Sequence, residues 1–186
     1  PLFIDKPVAT SLKDVLEVFR LARQTGTPVF SSSSLRYVRP LEALKRMDMG
    51  ELKGVISYGP ASIEKTHPDL FYYGVHAAES LYAVMSTGCV SVTRTSTPDL
   101  DAITGVWSGD RVGTLFGLRN MKTDFGVTVF AAKGIFTRER GIGYSPLIAE
   151  IIRFYNSGVA PVPPEETIEL FAFLATANES KERGGV

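Results

Sequence analysis

Apolar and polar positions follow two different rhythms along this chain. Leu2, Phe3 and Ile4 form an unbroken apolar run, the pattern of a strand buried on both faces. Leu12, Val15, Leu16, Phe19 and Ala22 then recur at the spacing of one helix face. Thr10 or Ser11 is placed to cap that helix, Gly26 to end it in a left-handed conformation, and Pro28 to prevent its continuation. Val29 and Phe30 read as a second strand. The three segments make a βαβ unit, and such a crossover predicts parallel strands.

Beyond residue 34 the rhythm changes. Residues 36–48 predict a short helix, 52–59 a strand, and 69–86 a helix ended by Gly88. From 89 to 138 the pattern alternates and is broken by turns. CVSVTRTS is a strand. AITGVW and RVGTLFGLR flank Ser108-Gly109-Asp110, a hairpin signature. DFGVTVFAA and GIFTRE flank a second turn at Lys133-Gly134. Ser145 and Pro146 start a helix that runs to Gly158, with the serine as its cap and the proline in its first turn. After the stiff VAPVPPEE stretch, Ile168, Phe171, Leu174 and Ala175 share one face of a last helix, with Lys181 and Arg183 near its C-terminal end. The expected fold class is α+β: a mostly antiparallel sheet with helices on one face, preceded by a βαβ remnant of a parallel sheet.

The first strands raise an energetic question. Burying Leu2, Phe3, Ile4, Val29 and Phe30 is worth about 1.5–3 kcal/mol each, and two strands alone cannot cover both their faces. This leads to the expectation that more parallel strands precede Pro1, or that association or distortion covers the open edges.

Composition narrows the function. Twenty Lys and Arg balance twenty Asp and Glu across 186 residues, which argues against a nucleic-acid or polybasic membrane surface. Cys89 is the only cysteine, so no intrachain disulfide forms. No apolar run approaches the roughly 18 residues of a membrane span. A cytoplasmic location is the simplest expectation, with an upstream signal peptide left open. His67 and His76, the two histidines, make no metal site with one distant cysteine, so no metal is expected.

IDKPVATSLKDVLEVFRLARQTGTPVFSSSSLRY resembles the join between cofactor domain and substrate domain in the glucose–fructose oxidoreductase/inositol dehydrogenase (Gfo/Idh/MocA) family, where an acidic-Lys-Pro motif ends a strand of the Rossmann domain. Here it stands as Asp5-Lys6-Pro7, with Asp where Glu is commoner. FYYGVHAAESLYAVM resembles the family's helix carrying the catalytic histidine, here His76, and GVWSGDRVGTLFGLR and VPPEETIELFAFLATANESKERGG resemble its sheet hairpin and terminal helix. The resemblance implies that residues 1–34 are the C-terminal remnant of a dinucleotide-binding Rossmann domain and that 35–186 form a substrate-binding and oligomerisation domain. It implies an NAD(P)-dependent dehydrogenase acting on a sugar, polyol or related hydroxy compound, assembled as a homo-oligomer through its antiparallel sheet. NAD or NADP belongs to the full-length protein; none is expected bound to this chain, which alone is expected to be inactive.

Two departures qualify this. The glycine-rich dinucleotide fingerprint is absent: Gly141-Ile142-Gly143 is followed by Tyr144-Ser145-Pro146 and lacks the third glycine. Many family members carry Asp four residues before the histidine, and here that position is Tyr72. A non-catalytic ligand-binding or dimerisation module, and an NAD-dependent glycoside-cleaving enzyme, therefore stand as alternatives.

The candidate chemistry rests on few residues. Lys6 can hold a hydroxyl by its ammonium, or accept its proton if burial lowers the amine's pKa. His76, titrating near pH 6.5 when unperturbed, can trade a proton at neutral pH, with Tyr72, Glu79 or Ser80 available to orient its ring. Asp5, Lys6 and Pro7 are the expected contacts to the cofactor. Tyr73, Tyr72 and Arg36 are the expected contacts to substrate, and Tyr72, Tyr73 and Trp107 could equally be core aromatics. Gly74 inside a helix costs about 1 kcal/mol, which suggests close approach of a ligand or tight helix packing. His67 reads as a turn residue. Ser31–Ser34 lacks the frame of a hydrolase nucleophile.

Overall fold

Strands β1 (Leu2–Asp5) and β2 (Val29–Ser32) pair in parallel in a computed structural model of the chain, which describes residues 1–139 and 143–186. Helix α1 (Leu12–Thr25) connects them. Ser11 caps it by accepting a hydrogen bond from the Asp14 amide, and Gly26, at φ 63°, ends it. Val29 faces α1, and Phe30 turns the other way, onto Phe3 and Phe154.

A six-stranded sheet makes up most of the remainder, in the order β4 (Cys89–Ser96), β5 (Leu100–Trp107), β6 (Arg111–Leu118), β3 (Leu52–Pro60), β7 (Gly126–Ala131), β8 (Gly134–Glu139). Every neighbouring pair in it is antiparallel except β3 with β6. The Ser108–Asp110 turn closes the β5–β6 hairpin with Gly109 and Asp110 both at positive φ, the backbone such a two-strand turn requires.

One face of this sheet is covered. Val55, Ile103, Trp107, Leu115, Val127 and Val129 point at helices α3 (Gly74–Met85) and α5 (Pro164–Glu182). Leu81, Tyr82 and Met85 of α3 are fully buried, each removal from water worth about 1.5–3 kcal/mol. Trp107, open at the sequence level between a sugar platform and the core, is core: it is 1% exposed, and its Nε1 donates to the Ser86 carbonyl at 2.9 Å. The opposite face is uncovered and partly apolar, with Val106, Val112 and Ile135 exposed. Helix α2 (Arg39–Lys45) lies near β8, and α4 (Ser145–Ser157) seals Phe30 with Leu147 and Phe154.

Several predicted boundaries shift. The expected helix over 69–86 is broken: Asp69–Phe71 is a 3-10 turn, and α3 begins only at Gly74. Asp69 sits at φ 33°, outside helical backbone, and follows Pro68, so no regular helix passes through it. Gly74 is thus the first helical residue rather than an interior one. Leu70 packs against it so closely that a Cβ there would stand 3.1 Å from Leu70 Cδ2. The expected helix over 36–48 resolves into a 3-10 turn, Ser34–Tyr37, and α2, which starts one residue before Pro40, where the missing amide donor costs nothing. Ser145 is the first residue of α4 rather than its cap, Tyr144 holding that place without a side-chain bond. Gly141 and Ile142 of the Gly141-Ile142-Gly143 stretch lie outside the described residues.

Candidate active site

Parallel pairing puts the carboxyl ends of β1 and β2 on one edge. Asp5 is the partner of Ser32, so the residues that follow, Lys6 and Ser33, leave the sheet side by side. The carboxyl ends of parallel strands are where open α/β sheets place ligands. The Lys6–Pro7 peptide is cis.

Helix α3 delivers His76 to the same edge. The Ser33 hydroxyl and His76 Nδ1 are 2.7 Å apart. The Tyr73 ring stands edge-on to the imidazole at 4.9 Å between centroids, and Lys6 Nζ lies 5.4 Å from the centre of that tyrosine. Phe125, just before β7, closes the other side of the imidazole at 5.9 Å. It can do so because residue 59 on β3 is glycine: a Cβ there would overlap the Phe125 ring. Lys6, Tyr73 and His76 thus come together from segments 67 or more residues apart in the chain.

The electrostatics differ from the sequence expectation. Burial, helped by the Lys6 charge, pushes the His76 pKa down to about 4, so this imidazole is neutral at pH 7 rather than half-titrated near 6.5. Its place in the first turn of α3 works the same way, since the helix's positive end disfavours a cation. Burial also lowers the Lys6 pKa, against the opposing charge of Asp5.

The remaining expected residues have other surroundings. Arg36, expected to line the substrate cleft, is 6% exposed, and its guanidinium is held by Glu79 at 2.7 Å and by Glu166 of α5. It is an internal strut whose donors are taken by carboxylates. Glu79 accordingly serves Arg36 and the Ser33 backbone amide instead of the His76 ring. Ser80 bonds the His76 carbonyl at 3.4 Å, not the imidazole. Tyr72 lies outside α3 and stacks between Tyr73 and His67, at 5.6 and 5.2 Å. Asp5 is exposed at the end of β1. No group of three His, Cys, Asp or Glu that could hold a metal ion occurs among the described residues, and no helix among them is long and apolar enough to cross a membrane.

Sequence reasoning missed Ser33 and Phe125. A signal existed for Ser33, as it follows a strand of a parallel pair. Phe125 reaches the site only through strand pairing distant in sequence, and no local pattern marks it.

No protein-family model matches the chain, and no curated protein matches it in sequence. Solved structures do. A myo-inositol dehydrogenase from Corynebacterium glutamicum superposes with a TM-score of 0.83 over 99% of this chain and 71% of its own, at 13% identity. GenD2 from gentamicin A biosynthesis, in complex with NAD, gives 0.80 over 98% and 69%, also at 13% identity. An oxidoreductase from Agrobacterium radiobacter, in complex with NAD+, L-tartaric acid and magnesium, gives 0.74 over 99% and 71%, at 13% identity. The chain therefore has the α+β fold of a large part of these oxidoreductases. The likeness to the inositol dehydrogenase extends over both the mixed sheet and the parallel pair of this chain, since 99% of it is covered.

Proposed function

We propose that this chain is the substrate-binding part of an NAD(P)-dependent dehydrogenase of the Gfo/Idh/MocA type, acting on a sugar, polyol or related hydroxy compound. In this reading residues 1–34 belong to a dinucleotide-binding domain and 35–186 form the substrate domain. The observation that carries it is the convergence of Lys6, Tyr73 and His76 at the carboxyl ends of β1 and β2.

NAD or NADP, when bound, supplies the hydride acceptor or donor. Asp5, Lys6 and Pro7 fit the near edge of such a cofactor, because they leave the strand ends where parallel sheets bind nucleotides. The glycine loop that would hold the pyrophosphate is not in this sequence. Lys6 holds the substrate hydroxyl or accepts its proton, an exchange its lowered pKa favours. His76 hydrogen-bonds the same oxygen, and Tyr73 offers a ring face to the sugar. The uncovered sheet face, with Val106, Val112 and Ile135 exposed, serves as the contact between copies of the protein.

The test is reduction of NAD+ or NADP+ by a panel of polyols and sugars, using the full-length product that carries this chain. Lys6→Ala and His76→Ala should each lower turnover by about 10²-fold or more. Unchanged turnover in both removes the site. A second reading is a non-catalytic binding or dimerisation module. Tyr72 favours it, since the position supplies an aromatic ring packed on Tyr73 instead of a carboxylate near His76. Substrate binding with no dinucleotide-dependent turnover would select that reading.

A further inference from the structure

We infer that Ser33 fixes the tautomer of His76, so that the imidazole accepts at Nδ1 and presents Nε2–H as a hydrogen-bond donor. The count of donors and acceptors at the Ser33 hydroxyl decides the tautomer. A serine hydroxyl has one hydrogen to give and two lone pairs to receive. The Leu35 amide already donates to Ser33 Oγ at 3.2 Å, which is the cap of the Ser34–Tyr37 turn. The hydroxyl hydrogen still needs an acceptor, and Ser33 is 1% exposed. His76 Nδ1, 2.7 Å away, is the acceptor within reach among the described residues. Were Nδ1 to carry the proton, the imidazole and the Leu35 amide would both donate to Ser33 Oγ and the hydroxyl hydrogen would have no acceptor, which is costly for a buried group.

Ser33 is itself held in place. Its backbone amide donates to the Glu79 carboxylate, which binds Arg36 at 2.7 Å, and Arg36 binds Glu166. This buried series ties the end of β2 to α3 and α5, and turning the hydroxyl away from the ring would break its bonds to His76 Nδ1 and the Leu35 amide. Lys6 is the charged group whose field acts on the imidazole. The low pKa of His76 fits a ring that stays neutral while its acceptor nitrogen is occupied.

The consequence deepens the proposed function, on which it rests for its chemical meaning. A neutral imidazole with Nδ1 engaged acts on a substrate oxygen as a donor, polarising it, instead of as the base that removes its proton. Proton acceptance then falls to Lys6. Ser33 is a positioning residue in this scheme.

Nitrogen-15 NMR of the imidazole near neutral pH tests it without substrate or cofactor. His67→Gln leaves His76 as the one histidine and makes the assignment. In the parent chain, proton coupling should place the hydrogen on Nε2, with Nδ1 showing the shift of an unprotonated, hydrogen-bonded nitrogen. Ser33→Ala should reduce the ratio of the two tautomers by about tenfold, toward that of a histidine in a short peptide, and Ser33→Thr should restore it. A proton found on Nδ1 in the parent chain overturns the inference, even if Ser33→Ala does not fold. An unchanged ratio in folded Ser33→Ala overturns it as well. If the tautomer is as stated but Lys6→Ala and His76→Ala leave turnover intact, the dehydrogenase reading fails and this one stands.

Discussion

Two buried polar clusters in this molecule are built on opposite principles. At one end of the sheet, Arg94 of β4 is 1% exposed and pairs with Asp101 at 2.9 Å, Asp69 at 3.0 Å and Asn178 of α5 at 2.7 Å. Arg119 adds a second cation to Asp101, and Lys181 a second to Asp69. Burial alone would raise the Asp101 pKa, but hydrogen bonds from Arg119 and Ser96 and the charges of Arg94 and Arg119 hold it below the usual carboxylate range. At the carboxyl ends of β1 and β2, Lys6 and His76 are partly or largely buried with no carboxylate in an ion pair to either among the described residues, and burial pushes both toward neutrality. A cluster that satisfies its charges holds structure. A cluster that leaves them short of partners can respond to a ligand.

The contrast can be tested from its largest effect downward. Asp101→Ala leaves Arg94 with Asp69 and Asn178 alone and takes the carboxylate from Arg119, and should cost about 3–5 kcal/mol, read as a lower urea midpoint. Loss under 1 kcal/mol would mean that the paired cluster is not structural. Next in size is an acid effect from the other cluster. The unfolded His76 takes up a proton near 6.5 and the folded one only near 4, so stability is complete above 6.5 and falls as pH drops through that window. The loss should reach up to about 3 kcal/mol, and His76→Phe should abolish it. The carboxylates of the Arg94 cluster are held below their usual range, so their contribution is lost mainly at and below the acid end of this window, and His76→Phe separates the two.

Gly59→Ala comes third. The new methyl displaces the Phe125 ring, costing about 1–3 kcal/mol, and removes the His76–Phe125 contact seen by nuclear Overhauser effects. The Arg94 cluster should be untouched. Smallest is Lys6→Met: removing a poorly partnered charge should change stability by less than about 1 kcal/mol. It should still raise the His76 pKa, because the Lys6 charge is one of the two causes that lower it. A pKa that stays put would place the two groups out of each other's field.

Much of this arrangement was legible in the sequence, for identifiable reasons. The βαβ unit carried its own cap, stop and periodicity, and Ser11 and Gly26 do what those signals predict. The hairpins were marked by turn residues that need positive φ. Lys6 and His76 were found through short motifs, but their meeting could not be read locally, because it depends on α3 packing across the end of the parallel pair. Arg36 shows the limit most clearly. From its neighbours it looked like a cleft-lining cation, and only the return of α5, carrying Glu166, reveals it as a strut. The break before α3 was hidden for a similar reason. Asp69 abandons helical backbone at a position tied to Arg94 and Lys181, two partners far along the chain.

The lone parallel pair within the large sheet also sets an order of assembly. Strand β3 lies between β6 and β7, so Gly54 must wait for Val112 and Val55 for Val129, each more than fifty positions downstream. At about 5–20 residues per second of synthesis, Val55 and Ile56 spend several seconds outside the ribosome with neither edge of their strand engaged. The β5–β6 hairpin pairs residues close in sequence, whereas β3 gains both of its partners only by long-range pairing. Until the middle of the sheet is filled, residues 52–60 present two open strand edges, the form in which one chain can pair with another.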